Sequence, residues 1–131
     1  MADEETQEKS LQGRILVVDD DKETREFLTE FLHCIGFSEI TTAGSGQEAL
    51  KKFQQFHPRL VLLDYRLPDL DGLKVLKRIK EIQPTLPVIM MTAFPNTHGI
   101  EGVVEQGAFD LVLKPLDLFY LEQSILTGFA G

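Results

Sequence analysis

Three aspartates follow apolar runs of the sequence and could together hold a cation. Asp19 and Asp20 come directly after the run Ile-Leu-Val-Val, and Asp64 ends the run Leu-Val-Leu-Leu-Asp. Both runs are typical of buried parallel strands. If these strands are neighbours, the carboxylates meet at one edge of a sheet, where like charges raise one another's pKa. They must then share protons or surround a cation, and a hard ion with oxygen ligands such as Mg²⁺ fits best.

Short apolar strands alternate with helical patterns from residue 14 onward. The strands are predicted at 14–19, 38–43, 60–64, 87–91 and 109–113. Helices are predicted at 22–35, 70–82, 97–106 and 117–127. One more helix, the second in chain order, is predicted to begin after a capping box of Ser45 and Glu48. Five successive βα units predict a single α/β domain, in which a parallel sheet carries helices on both faces.

Four of the predicted strands end in polar residues. Besides the aspartates after the first and third strands, Thr92 follows the fourth strand and Lys114 follows the fifth. In open parallel sheets, ligands bind beyond the carboxyl ends of the strands, where the strand order reverses. Each residue alone would be read as a loop residue or a cap, but together they predict one polar crevice.

Length and charge limit the class of protein. A chain of 131 residues with 43% apolar residues is expected to form one domain with a core of its own. The net charge of -8 disfavours direct binding of nucleic acid or of an anionic membrane. No apolar stretch could cross a bilayer, no signal peptide is apparent, and the single Cys34 forms no internal disulfide. We therefore expect a cytoplasmic protein.

The strand-end motifs resemble the receiver domain of two-component response regulators. They are, in order, VVDDD, LLDYRLPDLDG, MTA and LKP. The resemblance covers essentially the whole chain after the first 12 residues. It implies a doubly wound (βα)5 fold with the flavodoxin-like strand order 2-1-3-4-5.

The resemblance implies a phosphoryl acceptor and a set of metal ligands. Asp64 would accept the phosphoryl group from a phosphohistidine of a sensor histidine kinase or a histidine phosphotransfer protein. Asp20 and Asp64 would bind Mg²⁺ directly, and Asp19 would reach it through water. The backbone carbonyl of Arg66 would be a further ligand. A carboxylate is a competent nucleophile for this transfer.

The resemblance also implies which groups would meet the transferred phosphoryl group. Thr92 would donate a hydrogen bond to a phosphoryl oxygen, and Lys114 would pair with its charge. Positioning and charge neutralisation are what such a transfer mainly requires. The Lys114–Pro115 peptide bond is expected to be cis, although trans is the commoner isomer.

Two other classes of protein share parts of this pattern. A Mg²⁺-dependent phosphatase with an aspartyl nucleophile typically carries a D-x-D arrangement on its first strand, which the adjacent Asp19 and Asp20 lack. A flavodoxin-like electron carrier would need a Ser/Thr/Gly-rich phosphate loop at that place. We therefore expect a signalling switch rather than an enzyme, with limited self-phosphorylation and autodephosphorylation as its only chemistry.

Three positions depart from the usual receiver pattern. Leu111 stands three residues before the lysine, where the family commonly has Tyr or Phe. We expect it to be partly exposed, either meeting a partner on the face of the fourth helix, fifth strand and fifth helix or simply filling space. Arg66 and Phe94 each lie two residues past a site residue. They either shield the phosphoryl group from water and prolong its lifetime, or point to solvent.

The remaining polar residues are explained by local structure. Asp21 is expected to cap the first helix, while Asp69 and Asp71 serve the turn before the third helix. Gly72 is expected to satisfy backbone geometry at the start of that helix. Cys34 is expected in the core.

The chain divides into an acidic flexible tail at 1–12, the receiver domain at 13–128 and a short end at 129–131. Either the protein is a stand-alone receiver or the sequence is part of a longer protein. Its expected partners are the kinase or phosphotransfer protein and a downstream effector domain or protein. Homodimers are common in the family, and nothing in the sequence decides whether this chain forms one.

Overall fold

Strands and helices alternate along the chain in the computed structural model, which describes residues 13–93, 103 and 105–130. The described strands are β1 (Arg14–Val18), β2 (Glu39–Ala43), β3 (Leu60–Asp64), β4 (Val88–Thr92) and β5 (Asp110–Leu113). The described helices are α1 (Lys22–Cys34), α2 (Gly46–Phe56), α3 (Gly72–Ile82) and α4 (Leu118–Ala130). The predicted tail at 1–12 and most of the predicted helix at 97–106 lie outside the described residues.

The sheet has the strand order β2-β1-β3-β4-β5, and every neighbouring pair is parallel. This order confirms the predicted doubly wound fold. Val18 of β1 lies level with Leu63 of β3. The residues that follow them in the chain, Asp19 and Asp64, are therefore neighbours at the carboxyl edge of the sheet. Asp64 in turn lies level with Met91 of β4.

The strands are apolar on both faces because helices cover both faces. In β1, Ile15 and Val17 pack with residues of α1 and α4, whereas Leu16 and Val18 pack with residues of α2 and α3. All five residues of β3 and of β4 are buried. Burial on both faces is the reason that these strands read as continuous apolar runs rather than alternating ones.

Side-chain caps begin the first three helices. Asp21 caps α1 and Asp71 caps α3, as the sequence predicts. Ser45 Oγ accepts the Glu48 N–H of α2 at 3.1 Å. In a capping box the Glu48 side chain would accept the backbone N–H of Ser45. Here Glu48 Oε1 accepts the N–H of Gly44 instead, at 2.7 Å.

Two expectations for α1 are wrong, and α4 is longer than predicted. Cys34 is exposed, because it lies on the helix face opposite the buried Leu32. The spacing of Phe27, Leu28, Phe31, Leu32 and Ile35 predicts one apolar stripe along this helix, but Phe27 is 48% exposed. The predicted end of α4 at 127 is three residues short, and Phe129 in the added turn packs on Phe37 with ring centroids 5.1 Å apart. None of the described helices has the length and apolar character needed to span a bilayer.

Candidate functional site

The carboxyl ends of the central strands bring the predicted polar residues together. Asp19, Asp64 and Thr92 are buried at the ends of β1, β3 and β4, and Asp20 is exposed beside them. One oxygen each of Asp19, Asp20 and Asp64, hereafter the acid cluster, lie within 4.8 Å of one another. The adjacent positions of β1 and β3 in the sheet therefore place the three carboxylates as the strand pattern predicts.

Lys114 reaches the acid cluster from the edge strand β5. Its Nζ lies 2.7 Å from Asp19 Oδ2 and 3.4 Å from Asp64 Oδ2. The Lys114–Pro115 bond is cis, as the family resemblance implies, and the Lys114 backbone N–H donates to the Thr92 carbonyl at 2.8 Å. Lys114 thus partly balances the charges of Asp19 and Asp64.

The electrostatics of the site follow from burial and from charge crowding. Burial first, and then the charge of Asp19, raise the pKa of Asp64 to about 6, although Lys114 and the Arg66 N–H act in the opposite direction. Burial alone would lower the pKa of Lys114, but its hydrogen bond to Asp19 and the charges of Asp64 and Asp19 outweigh burial and raise that pKa. Asp64 is therefore mostly ionised at neutral pH and remains easier to protonate than an ordinary aspartate.

The acid cluster has the donor chemistry that a hard divalent cation requires. Oxygen donors such as carboxylates are the ligands that Mg²⁺ takes in proteins. The acid cluster offers three carboxylate oxygens within 4.8 Å of one another. Among the described residues this is the one group of three His, Cys, Asp or Glu side chains close enough to hold a metal. The residues present thus fit Mg²⁺.

Arg25 is a site neighbour that the sequence reasoning missed. Its Nη1 donates to the backbone carbonyl of Asp19 at 2.8 Å, while Asp19 Oδ1 accepts the N–H of Asp21 at 2.9 Å. These bonds hold the turn that carries the acid pair of β1. An arginine one turn inside α1 has no sequence signature that separates it from a surface residue.

Asp69 serves the turn before α3, as expected, because its Oδ1 accepts the Leu70 N–H at 2.9 Å, while Asp71 caps α3. Its carboxylate has a second role that was not expected: it accepts the N–H groups of Gly46 at 2.7 Å and Gln47 at 2.9 Å, at the start of α2. Gly72 fulfils its expected role, because a Cβ there would lie 2.6 Å from the carbonyl oxygens of Asp64 and Tyr65.

The three positions that depart from the receiver pattern have different surroundings. Leu111 is half-buried and packs against the core cluster that also includes α2 and α3 residues, which confirms its partial exposure. Arg66 is exposed, and its backbone N–H donates to Asp64 Oδ1 at 3.3 Å. Phe94 lies outside the described residues.

Known proteins share both the sequence and the fold. Residues 15–126 match the family model of the response regulator receiver domain. The chain is 41% identical over 106 residues to the regulatory protein AtoC and to the DNA-binding transcriptional regulator NtrC, both of Escherichia coli (strain K12). These matches cover 81% of this chain but 23% and 22% of the two relatives, so the chain spans about a quarter of their length.

Solved structures of similar chains agree. A chain of the CheX–CheY–BeF3–Mg²⁺ complex from Borrelia burgdorferi superposes with a TM-score of 0.83 at 31% identity, over 88% of each chain. A putative response regulator from Chloroflexus aurantiacus J-10-fl gives a TM-score of 0.84 at 31% identity, over 91% of this chain and 98% of that one. The chain therefore belongs to the response regulator receiver domains, the signalling switches of two-component systems.

Proposed function

We propose that Asp64 accepts a phosphoryl group from the phosphohistidine of a sensor histidine kinase or histidine phosphotransfer protein, in a reaction that depends on Mg²⁺. The observation that carries this proposal is the buried Asp64 carboxylate, with oxygens of Asp19 and Asp20 within 4.8 Å and Lys114 Nζ at 3.4 Å. A lone buried carboxylate would be costly in a structural role. Grouped with two more carboxylates and one lysine, it has the charges that phosphoryl transfer uses.

In the proposed reaction an oxygen of Asp64 forms a bond to phosphorus, the P–N bond of the phosphohistidine breaks, and the leaving imidazole takes up a proton. Asp64 must be ionised to attack, and its pKa of about 6 leaves it mostly ionised at neutral pH. Lys114, freed from part of its pairing with Asp19, balances the added charge, and Thr92 donates to a phosphoryl oxygen.

The acid cluster would hold the metal in this proposal. Asp20 and Asp64 would bind Mg²⁺ directly, Asp19 through water, and Arg66 through its backbone carbonyl. When bound, the ion neutralises charge on the phosphoryl oxygens. The buried Asp19, with its backbone carbonyl held by Arg25, keeps the first-strand ligands in place.

The receiver domain in this proposal comprises residues 13–128 and acts in the cytoplasm. Its output is a downstream effector domain or protein, which agrees with the greater length of its relatives and with the names of NtrC and AtoC as regulators. The receiver itself contacts neither nucleic acid nor membrane, consistent with its net charge of -8. Its chemistry is limited to its own phosphorylation and dephosphorylation.

Phosphorylation would act by shifting a population between two states. The added charge at Asp64 draws Thr92 and its loop inward and changes the face formed by β5, α4 and the predicted helix at 97–106, where a partner or a second copy would bind. Leu111 cannot make the hydrogen bond of a tyrosine, so we infer that it contributes apolar contact to the partner. Partner affinity that is unchanged in Leu111→Ser would exclude that contribution.

The lifetime of the phosphoryl group depends on access of water. Arg66 and Phe94 are the residues we propose as shields, and Arg66 is exposed two residues past the acceptor. Loss of phosphate should be faster in Arg66→Ala and in Phe94→Ala than in the wild type. Equal rates in all three proteins would reject shielding.

The direct test is phosphorylation by a small donor. We expect wild-type protein incubated with acetyl phosphate and Mg²⁺ to gain the mass of one phosphoryl group, and Asp64→Asn to gain none. Asp110→Asn is a matched control, since it removes an aspartate at the opposite end of the sheet and should be phosphorylated normally. Chelation of Mg²⁺ should abolish the gain. Two results would contradict the proposal: a gain of phosphoryl mass by Asp64→Asn, and steady hydrolysis of phosphate esters by that same variant.

A further inference from the structure

The loop after the proposed acceptor is tied to a helix more than twenty residues away in sequence. This β3–α3 loop, residues 65–71, carries Asp69, whose Oδ1 accepts the Gly46 N–H at 2.7 Å and whose Oδ2 accepts the Gln47 N–H at 2.9 Å. Ser45 Oγ satisfies the next amide, that of Glu48, at 3.1 Å. The free amides of the first turn of α2 are thus divided between the helix's own cap and Asp69.

Apolar packing reinforces the tie. A Cβ added at Gly46 would lie 2.7 Å from the Cβ of Leu70, the neighbour of Asp69 in the loop. Leu70 is half-buried and packs against the core cluster of α2 and α3. The loop therefore rests directly on the backbone at the start of α2, and glycine is what lets it approach so closely.

The loop is also connected to the acid cluster. The Gly72 N–H donates to the Tyr65 carbonyl at 2.8 Å, which closes the loop into a compact turn. Arg66 N–H donates to Asp64 Oδ1 at 3.3 Å. A shift of the loop would therefore move the Arg66 backbone. Its N–H, which donates to the Asp64 carboxylate, and its carbonyl, the proposed metal ligand, would both change position.

We propose that Asp69 is a positioning residue: by tying the β3–α3 loop to α2, it raises the affinity of the acid cluster for a divalent cation. The inference rests on the proposed function, because it presupposes that the cluster binds Mg²⁺. Groups that orient metal ligands from outside the coordination sphere commonly change metal affinity by about 10- to 100-fold. Asp69 acts through one intervening turn, so the lower end of that range is expected.

The test is a calorimetric Mg²⁺ titration of the wild type and matched variants. Asp69→Ala should raise the Kd about tenfold. Asp69→Asn, which keeps one acceptor oxygen of two, should show a smaller increase. Ser45→Ala removes the other cap of the same helix without touching the loop, so its Kd should equal that of the wild type.

Gly46→Ala tests whether the contact between the loop and α2 changes Mg²⁺ affinity directly or only through the stability of that helix. Alanine forms helix better than glycine, so an effect through helix stability alone predicts unchanged or tighter Mg²⁺ binding. The added Cβ would instead push Leu70 and the loop away, and we expect severalfold weaker binding. Because coupling is reciprocal, Mg²⁺ should also slow hydrogen exchange at the amides of Gly46 and Gln47 in the wild type and not in Asp69→Ala.

The outcomes separate the inference from the function on which it rests. Wild-type binding of Mg²⁺ with equal Kd values for Asp69→Ala and Ser45→Ala would overturn the role of Asp69 and leave the metal site intact. A wild type that takes up no Mg²⁺ would overturn the proposed function, and the positioning role with it.

Discussion

The centre and the edge of the sheet serve different purposes. Every residue of the central strand β3 is buried, and the strand ends in Asp64. Of the four residues of the edge strand β5, one is buried, and Leu113 is 48% exposed, yet Lys114 directly follows this strand. The carboxylates are thus placed by the most buried part of the sheet, while the cation near them follows a more exposed edge strand.

The two regions are also held by different interactions. Apolar packing on both faces holds β3. The edge strand depends more on polar side chains, since Asp110 accepts hydrogen bonds at 2.7 Å from both the Tyr120 hydroxyl and the Ser124 hydroxyl of α4. A change of charge at the acid cluster should therefore disturb the edge before the centre, as the proposed output surface at the edge would require.

The largest expected contrast is in stability. Leu62→Ala empties fully buried volume in β3 and should lower the free energy of unfolding by about 3 kcal/mol. Leu113→Ala in β5 removes a side chain that is half in water and should lower it by less than about 1 kcal/mol. Urea denaturation followed by circular dichroism measures both. Equal losses would show that the edge is packed as firmly as the centre.

Removing Lys114 should leave the charge of the buried carboxylates unbalanced and so destabilise the metal-free protein. In Lys114→Met the buried Asp19 loses its partner at 2.7 Å, so we expect the metal-free protein to lose about 2–3 kcal/mol of stability at neutral pH. Mg²⁺ should restore more stability to this variant than to the wild type. Thermal melts with and without Mg²⁺ test this, and identical Mg²⁺ responses would contradict it.

Titration of Asp64 should make the metal-free protein more stable in mild acid. Its pKa is about 6 in the folded protein, above the ordinary aspartate value, so the folded state holds the proton more tightly than the unfolded state. This contribution to stability is fully present below about pH 4 and is lost as the pH rises through about 6. Asp64→Asn should therefore be more stable than the wild type by about 2 kcal/mol at neutral pH, with the gap closing in acid. A difference independent of pH from 4 to 8 would refute this assignment.

The smallest effects are expected at the polar contacts of the edge. Ser124 is buried, so Ser124→Ala should lower the free energy of unfolding by about 1 kcal/mol. Tyr120 is half-exposed, and Tyr120→Phe should lower it by about 0.5 kcal/mol. Neither variant should change Mg²⁺ affinity, because Asp110 lies at the opposite end of β5 from Lys114. Loss of Mg²⁺ affinity in either would mean that the edge and the acid cluster are more tightly coupled than their separation indicates.

The features that the sequence predicts well are those set by local pattern. The bounds of all five strands agree with prediction to within one residue. For β1, β3 and β4 the reason is that strands buried on both faces stand out as apolar runs. The position of Asp64 and Lys114 at strand ends then brings the site together. The predicted core position of Cys34 is wrong, because its exposure depends on the rotation of α1 against the sheet, which local pattern does not set.

The features that the sequence does not reveal depend on contacts between distant segments. Asp69 caps α2 across 23 residues, although its sequence neighbours indicate a role at α3. Arg25 holds the carbonyl of Asp19 only because α1 folds back over the end of β1. Neither contact has a local sequence signature, so neither can be predicted from residue spacing.

The most direct measurement is a crystal structure of the wild type grown with Mn²⁺, which replaces Mg²⁺ and scatters anomalously. We predict one anomalous peak bounded by carboxylate oxygens of Asp20 and Asp64, with Asp19 beside it, and no such peak in Asp64→Asn. A wild-type map without a peak between these carboxylates, or with its strongest peak elsewhere on the molecule, would contradict the metal-assisted acceptor site.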